Sequence, residues 1–151
     1  MILPLGLALT LATGLSPALG RWAADHEQHI LAEGSPLPAE AERFAGSIGI
    51  EESENVRYLE VDRIPLPVPF PIVELLTRWG IPIFEPQGMT LGRGIYILPG
   101  RQSILPHELV HVLQYQRLGG IQPFMRRYVV EMLFHGYRDA PLEVEARALS
   151  R

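Results

Sequence analysis

The sequence predicts an α+β fold that is mostly helical, with a histidine-bearing helix, a later acidic helix and a short β-strand or hairpin upstream of both. Three segments support this fold class: GMTLGRGIYILPG at 88–100, HELVHVLQYQ at 107–116 and APLEVEARAL at 140–149. The first combines β-favouring residues with glycine-rich turns, and the other two have helical spacing. A chain of 151 residues with 47% hydrophobic and 20% charged residues is typical of one folded domain with a modest core.

The first 20 residues form an apolar run without a charged side chain, and they end in the small-residue pattern ALG at 18–20. This composition predicts a secretory signal peptide or a membrane anchor at residues 1–20, although no basic residue precedes the run. A membrane-associated or exported protein is therefore expected. The alternative is a helix buried in the core of a cytoplasmic protein.

Residues 21–55 are predicted to form an N-terminal helical segment. RWAADHEQHIL at 21–31 has helical spacing and is followed by the helix-stopping EGSPLP, and a second helix is expected at 38–48. His26 and His29 share one face of the first helix at i and i+3. We expect both side chains to be solvent-exposed.

Residues 56–151 are predicted to form the functional domain. It should begin with a strand at 56–64, an extended proline-rich connector at 65–71 and a helix at 72–80. A single strand at 94–98 follows, and its edge could pair with an extended peptide. Three helices should complete the domain: one at 103–118, capped by Ser103 and ended by Gly119 and Gly120; one from Pro123 to Gly136; and one that begins after Asp139.

The segment HELVH at 107–111 has the spacing of a metal-binding helix. Positions i and i+4 lie on one helical face, so His107 and His111 direct two imidazoles toward the same point. Glu108 projects beside that point, where a carboxylate can take a proton from a metal-activated water. The alternative is a helix whose histidines pack in the core or face solvent and are satisfied by hydrogen bonds.

A catalytic zinc site needs a third protein ligand, which a chain without cysteine must supply from His, Asp or Glu. The metzincin arrangement is excluded, because Gln114 and Arg117 occupy the positions of its glycine and its third histidine. Two glutamates of the last helix remain, Glu143 and Glu145. His135, where the second helix ends, is a weaker candidate.

Glu143 is the favoured third ligand. In gluzincin-like peptidases such as thermolysin, a small residue follows the ligand glutamate three positions on, and the next position is usually Asp. Ala146 fits the first condition and lets two helices approach closely, but Arg147 stands in the place of the Asp. An ordinary surface ion pair between Glu143 and Arg147 is the alternative, and Glu145 would then be the ligand.

The motifs GMTLGRGIYILPG, HELVHVLQYQRLGGIQPFMRRYV and GYRDAPLEVEA together resemble those of a group of small uncharacterised bacterial proteins with a gluzincin-like HExxH core. The resemblance covers most of the chain from VDRIPLP onward. It implies a zincin-like core, zinc on His107, His111 and the acidic helix, and a catalytic Glu108. It brings no known substrate with it.

The leading functional hypothesis is a zinc-dependent metallopeptidase, a hydrolase that cleaves peptide or protein substrates through a zinc-activated water with Glu108 as general base. Tyr137 is a candidate to stabilise the oxyanion, although a packed core tyrosine is the simpler interpretation. The alternatives are a non-catalytic, zinc-stabilised module of the bacterial envelope and a structural protein without metal. Nucleic acid is not an expected partner, because the net charge is −4 and the 13 basic residues, all arginine, are scattered.

Overall fold

The computed structural model describes residues 5–67, 78 and 86–151. It is α+β and mostly helical, which confirms the predicted fold class at this level. The helices are α1 (Leu5–Glu33), α2 (Ala39–Ser47), α3 (Leu105–Leu118), α4 (Ile121–Asp139) and α5 (Pro141–Leu149), and the strands are β1 (Ser35–Pro36), β2 (Arg57–Glu60), β3 (Gly88–Leu91) and β4 (Gly94–Ile97). The predicted helix at 72–80 lies outside the described residues apart from residue 78, as does the connector beyond residue 67.

The four strands form one mixed sheet in the order β1-β2-β4-β3. Strand β4 pairs in parallel with β2 and antiparallel with β3, and all four of its residues are buried. The prediction of a single strand at 94–98 with a free edge is therefore wrong, because β4 is paired on both sides and the edge strands of the described sheet are β1 and β3. The tight turn that makes this hairpin centres on Gly92, whose φ of 65° is the left-handed conformation that glycine tolerates.

Helix α1 is much longer than the helix predicted at 21–31. It runs from Leu5 without interruption and passes through the buried Gly20, where a Cβ would lie 2.0 Å from Nε2 of Gln122 on α4. Among the described residues, no helix is both long enough and apolar enough to span a bilayer. Removal or membrane insertion of residues 1–20 stays a prediction.

The two histidines of α1 differ in their surroundings. His29 is exposed, as expected, but His26 is half-buried, and its Nδ1 lies 2.7 Å from the hydroxyl of Tyr96. His26 also packs against Trp22, with ring centroids 4.7 Å apart. The prediction that His26 is exposed is wrong because β4, distant in sequence, lies beneath this face of α1.

The sheet separates two apolar cores. On one side, Ile95 and Ile97 of β4 pack with residues of α2 and α3, including Ala45, Leu109 and Val112. On the other side, Tyr96 belongs to a cluster formed with α1, α4 and α5. Because α3 uses one stripe of side chains for the first core, its opposite stripe faces α4 and α5.

The ends of the last three helices follow local chemistry. Gly119, with φ 96°, ends α3 as predicted, but Ser103 lies in a 3₁₀ turn before α3 and does not cap it. Regular helical geometry in α4 breaks at Gly136, where φ is 70° and ψ is 171°, and α5 begins at Pro141. The break turns the chain back, so that α5 packs against both α3 and α4.

Candidate metal centre

Helix α3 brings the two histidines of the HExxH segment together. The Nε2 atoms of His107 and His111 are 3.2 Å apart, as their spacing of one helical turn predicts. His111 is buried, whereas His107 is partly exposed, and both line the same cleft. Two imidazole nitrogens at this separation repel each other unless a proton or a cation lies between them.

Helix α5 delivers Glu143 to the same point. Its side chain is only 3% exposed, with Oε2 3.3 Å from His107 Nε2 and Oε1 3.4 Å from His111 Nε2. Within the described part of the chain, Glu143 Oε2 is the one buried side-chain polar atom that lacks a hydrogen-bond partner. A buried carboxylate oxygen without a donor is a costly arrangement that a bound cation would relieve.

The three side chains fit a tetrahedral zinc ion. Ligand atoms about 2.0–2.1 Å from one zinc ion lie about 3.3 Å from each other at tetrahedral angles. The two imidazole nitrogens are 3.2 Å apart, and the Glu143 carboxylate approaches them with different oxygens, Oε2 at 3.3 Å from His107 Nε2 and Oε1 at 3.4 Å from His111 Nε2. One nitrogen from each histidine and one oxygen of Glu143 lie within 4.8 Å of one another and could therefore serve as three ligands of a single zinc ion.

The buried charges at this point favour an ionised Glu143. Burial alone would raise the pKa of Glu143, but the adjacent imidazoles of His107 and His111 outweigh this effect and hold that pKa well below its usual range. Burial would also lower the pKa of His111, yet Glu143 and Glu108 together raise it. The carboxylate is thus ionised and ready to bind a positive charge, whether proton or metal.

The other candidate ligands lie elsewhere. Glu145 turns away from the histidines and accepts hydrogen bonds from Gln114 Nε2 at 2.7 Å and from Arg117 Nη1 at 3.0 Å. His135 is exposed and does not belong to the His–His–Glu group found among the described residues. The Arg147 guanidinium is hydrogen-bonded to the carbonyl of Arg138 rather than to Glu143.

Glu108 lies beside the three candidate ligands. It is 6% exposed and accepts a hydrogen bond from the Thr90 hydroxyl to Oε2 at 2.7 Å. Burial raises the pKa of Glu108, although His111 and the Thr90 hydrogen bond act in the opposite direction. Gly88 gives this carboxylate its space, since a Cβ there would come within 2.9 Å of Glu108 Oε1.

Two tyrosines of α4 border the site. The Tyr128 hydroxyl donates to Glu143 Oε1 at 3.1 Å, and burial, followed by the Glu143 charge, raises its pKa. Tyr137, the tyrosine singled out from the sequence, also lines the cleft but is 36% exposed. Burial and then the charge of Glu143 raise the pKa of Tyr137 to about 12. Both phenols are therefore hydrogen-bond donors at neutral pH.

The site lies at the base of a cleft of about 410 Å³. Apart from the metal-site residues and Glu108, its described lining is uncharged and mostly apolar. The apolar side chains come from α1, α4, β3 and the segment after β2, and they include Trp22, Leu66, Met89, Met125, Val129, Met132 and Leu133. Three of the four methionines in the chain are among them.

Sequence reasoning missed four residues that support the site: Thr90, Gln114, Tyr128 and Glu131. Gln114 carried a usable signal, because it follows His111 at i+3 on the same helical face. Tyr128 had been placed on an apolar helix face, and nothing in its spacing marked the hydroxyl. Thr90 and Glu131 act through contacts across the fold, which a local pattern does not reveal.

No protein-family model, curated protein or solved structure matches this chain. The resemblance of its motifs to those of gluzincin-like proteins therefore stays a prediction. The function is inferred from the chemistry of the residues themselves.

Proposed function

We propose that this protein is a zinc-dependent metallopeptidase with a zincin-like core, in which His107, His111 and Glu143 hold the zinc ion. The observation that carries the proposal is the position of Glu108, a buried carboxylate beside three side chains whose ligand atoms lie close enough together to hold one metal ion. Zinc, when bound, supplies Lewis-acid chemistry and makes a water molecule more acidic. The remaining chemistry belongs to side chains of this chain.

Glu108 is the general base. Burial raises the pKa of Glu108, which makes its carboxylate a stronger proton acceptor than an exposed one. It takes a proton from the attacking water and later donates that proton to the leaving amine. Thr90 holds one carboxylate oxygen at 2.7 Å, which fixes the group for both transfers.

Tyr128 and Tyr137 have different roles. The hydroxyl of Tyr128 is bound to Glu143 and so orients the carboxylate ligand. Tyr137 also lines the cleft beside Glu143, with 36% of its surface exposed, and its phenol can turn from Glu143 to donate a hydrogen bond to the oxygen that gains negative charge during hydrolysis. Both roles depend on protonated phenols, in keeping with the raised pKa values.

The cleft favours a substrate with an uncharged, bulky apolar side chain next to the scissile bond. Its described lining contains no basic or acidic residue that could pair with a charged side chain, apart from those of the site itself. Methionine side chains adapt to differently shaped apolar groups, so we expect breadth within this class. An extended substrate chain can add to β3, an edge strand, beside the side-chain-free Gly88.

A zinc-stapled module without activity is the second candidate. The ligands come from two helices, α3 and α5, so a metal ion here would join them. Glu108 separates the two functions, because a structural zinc ion has no use for a buried acid beside it.

The test compares two substitutions in the full-length, zinc-loaded protein. Glu108→Gln should keep about the parental zinc content but lower cleavage of an unfolded protein substrate by a factor of about 10² or more. Glu143→Ala should lose zinc as well as activity, because it removes a ligand. Glu40→Gln, the same chemical change as at Glu108 but on an exposed face of α2, is the matched control and should alter neither quantity.

Three results would contradict the proposal in different ways. If the parent protein takes up no zinc, the proposed metal site is wrong. If the parent binds zinc but cleaves no unfolded protein or peptide, the result supports the second candidate, a zinc-stapled module without activity. If the parent cleaves the substrate and the Glu108→Gln variant cleaves it equally fast, Glu108 is not the general base.

A further inference from the structure

Gln114 connects the second histidine to the acidic helix. It is 2% exposed and lies one turn after His111 on α3. One end of its side-chain amide is 2.8 Å from His111 Nδ1. The other end is 2.9 Å from the carbonyl oxygen of Leu142 and 2.7 Å from Oε2 of Glu145.

These neighbours allow only one orientation of the amide. A backbone carbonyl can only accept hydrogen bonds, and the Glu145 carboxylate, which is ion-paired with Arg117, also accepts. The amide NH₂ must therefore face Leu142 and Glu145, since the reverse orientation would bring three acceptor oxygens together. The amide oxygen of Gln114 is left facing His111.

The orientation of Gln114 in turn fixes the tautomer of His111. An amide oxygen needs a donor, so His111 Nδ1 carries the proton, and in the neutral ring Nε2 then has the free electron pair. That Nε2 is the atom directed at His107 and Glu143. A histidine in the other tautomer would place a hydrogen where the metal should bind.

We propose that Gln114, oriented by Glu145, is a positioning residue that holds His111 in the metal-binding tautomer and thereby sets the affinity of the site for zinc. Arg117, Glu145 and Gln114 form a hydrogen-bonded chain from the protein surface to the ligand. Glu145 therefore acts on the metal site through the amide and not as a ligand. This inference rests on the proposed zinc site.

Gln114→Met tests the role of the amide, because methionine has nearly the same length but cannot bond to His111. Zinc affinity, measured by competition with a chromogenic chelator, should fall by about 10- to 100-fold. The visible absorption of the cobalt(II)-substituted protein should change as well, because the ring of His111 loses its fixed direction. Circular dichroism checks that each variant is folded.

Gln116→Met is the matched control on the same helix. The Gln116 amide also makes two hydrogen bonds, with the backbone nitrogen of Glu51 at 3.0 Å and its carbonyl oxygen at 2.9 Å, but it does not touch a histidine. This substitution should lower stability without changing zinc affinity or the cobalt spectrum. Equal losses of zinc affinity in both variants would show that Gln114 is merely structural, and would overturn the inference.

A rescue experiment exchanges the hydrogen-bond donor and acceptor between positions 114 and 145. Gln114→Glu can still accept the Nδ1 proton, but it brings a second carboxylate against Glu145 and should weaken zinc binding. Adding Glu145→Gln supplies an NH₂ donor to the new carboxylate, and the double variant should recover affinity. A double variant that binds zinc no better than Gln114→Glu alone would contradict the proposed relay.

Glu145→Ala keeps the inference testable if substitutions at Gln114 fail to fold. Its side chain is 39% exposed, so the fold should tolerate the change. Zinc affinity should fall by less than in Gln114→Met, because the Leu142 carbonyl still binds the amide, and Glu40→Ala should leave it unchanged. Parental affinity in Glu145→Ala would overturn the role given to Glu145, whereas a parent that binds neither zinc nor cobalt would overturn the metal site itself.

Discussion

Glu131 holds the start of the acidic helix, and its replacement should destabilise the fold measurably. Its Oε2 accepts the backbone N–H of Leu142 at 2.8 Å, and its Oε1 accepts Arg127 Nε at 2.7 Å. Pro141 has no N–H, so Leu142 provides the first backbone donor of α5. Glu131→Ala would leave this donor buried and unpaired next to a helix terminus.

The expected cost follows from these two effects. A buried, unpaired backbone donor costs about 1–3 kcal/mol, and loss of a carboxylate at a helix N-terminus adds about 0.3–1 kcal/mol. A total of about 3 kcal/mol corresponds to a fall in Tm of about 6–12 °C for a chain of this length. Glu131→Gln retains an acceptor and should lose less than half of this.

Thermal unfolding followed by circular dichroism is the assay, in excess chelator so that metal binding does not contribute to Tm. Glu40→Ala, an exposed glutamate of α2, is the control and should shift Tm by less than 2 °C, or about 0.5 kcal/mol. If Glu131→Ala melts within that same interval of the parent, the Leu142 N–H does not depend on Glu131, and the account of how α5 is anchored is wrong.

Three further predictions concern the stability gained from zinc, the space that Gly88 leaves beside Glu108, and the pH dependence of stability. Zinc at about 100 times its Kd should stabilise the parent by about 2.7 kcal/mol and raise Tm by about 5–10 °C. This shift in Tm should vanish in Glu143→Ala. A shift that persists in this variant would place the metal elsewhere. Gly88→Ala should keep zinc but reduce cleavage, because its Cβ would meet both Ile104 Cδ1 and the Glu108 carboxylate and displace the latter. Gly46→Ala, where a Cβ meets nothing within 4 Å, should cleave like the parent. Burial and then the His29 charge lower the pKa of His26 in the folded protein. The neutral His26 therefore contributes to stability at pH values above the pKa of about 6.5 in the unfolded chain, and this contribution is lost as the pH falls below that pKa. His26→Asn should therefore show a smaller loss of stability between pH 7 and pH 5, measured by urea unfolding, and an unchanged pH dependence would contradict the assigned shift.

Local patterns were sufficient to predict the parts of the site that lie on one helix. The spacing of His107 and His111 fixes their common face, and the glycine at 119 ends α3 where expected. The preference for Glu143 over Glu145 came from a small residue at helix-contact spacing, and the structure places Glu143 beside both histidines. The histidine pair and the helix end depend on neighbours in sequence, whereas Glu143 was favoured because its own helix has a small residue, Ala146, where it can contact another helix.

Contacts between distant segments account for what the sequence could not predict. Strand β4 looks like any short apolar strand, and its interior place in the sheet depends on pairing with β2, more than 30 residues earlier. His26 looks exposed on its own helix, and it is covered by Tyr96 of β4. The orientation of Gln114 depends on oxygens from α5 that are brought near by the break at Gly136.

The position of α3 between the two apolar cores limits how this site can be altered. Nine of its 14 residues are buried, and those residues include both packing side chains and His111. Random mutagenesis of α3 would therefore give mostly inactive variants that had simply failed to fold. Changes on the exposed side of α5 and at the half-buried Met89, which lines the cleft, alter the surroundings of the site with far less damage to the core, so laboratory evolution of this protein should begin there.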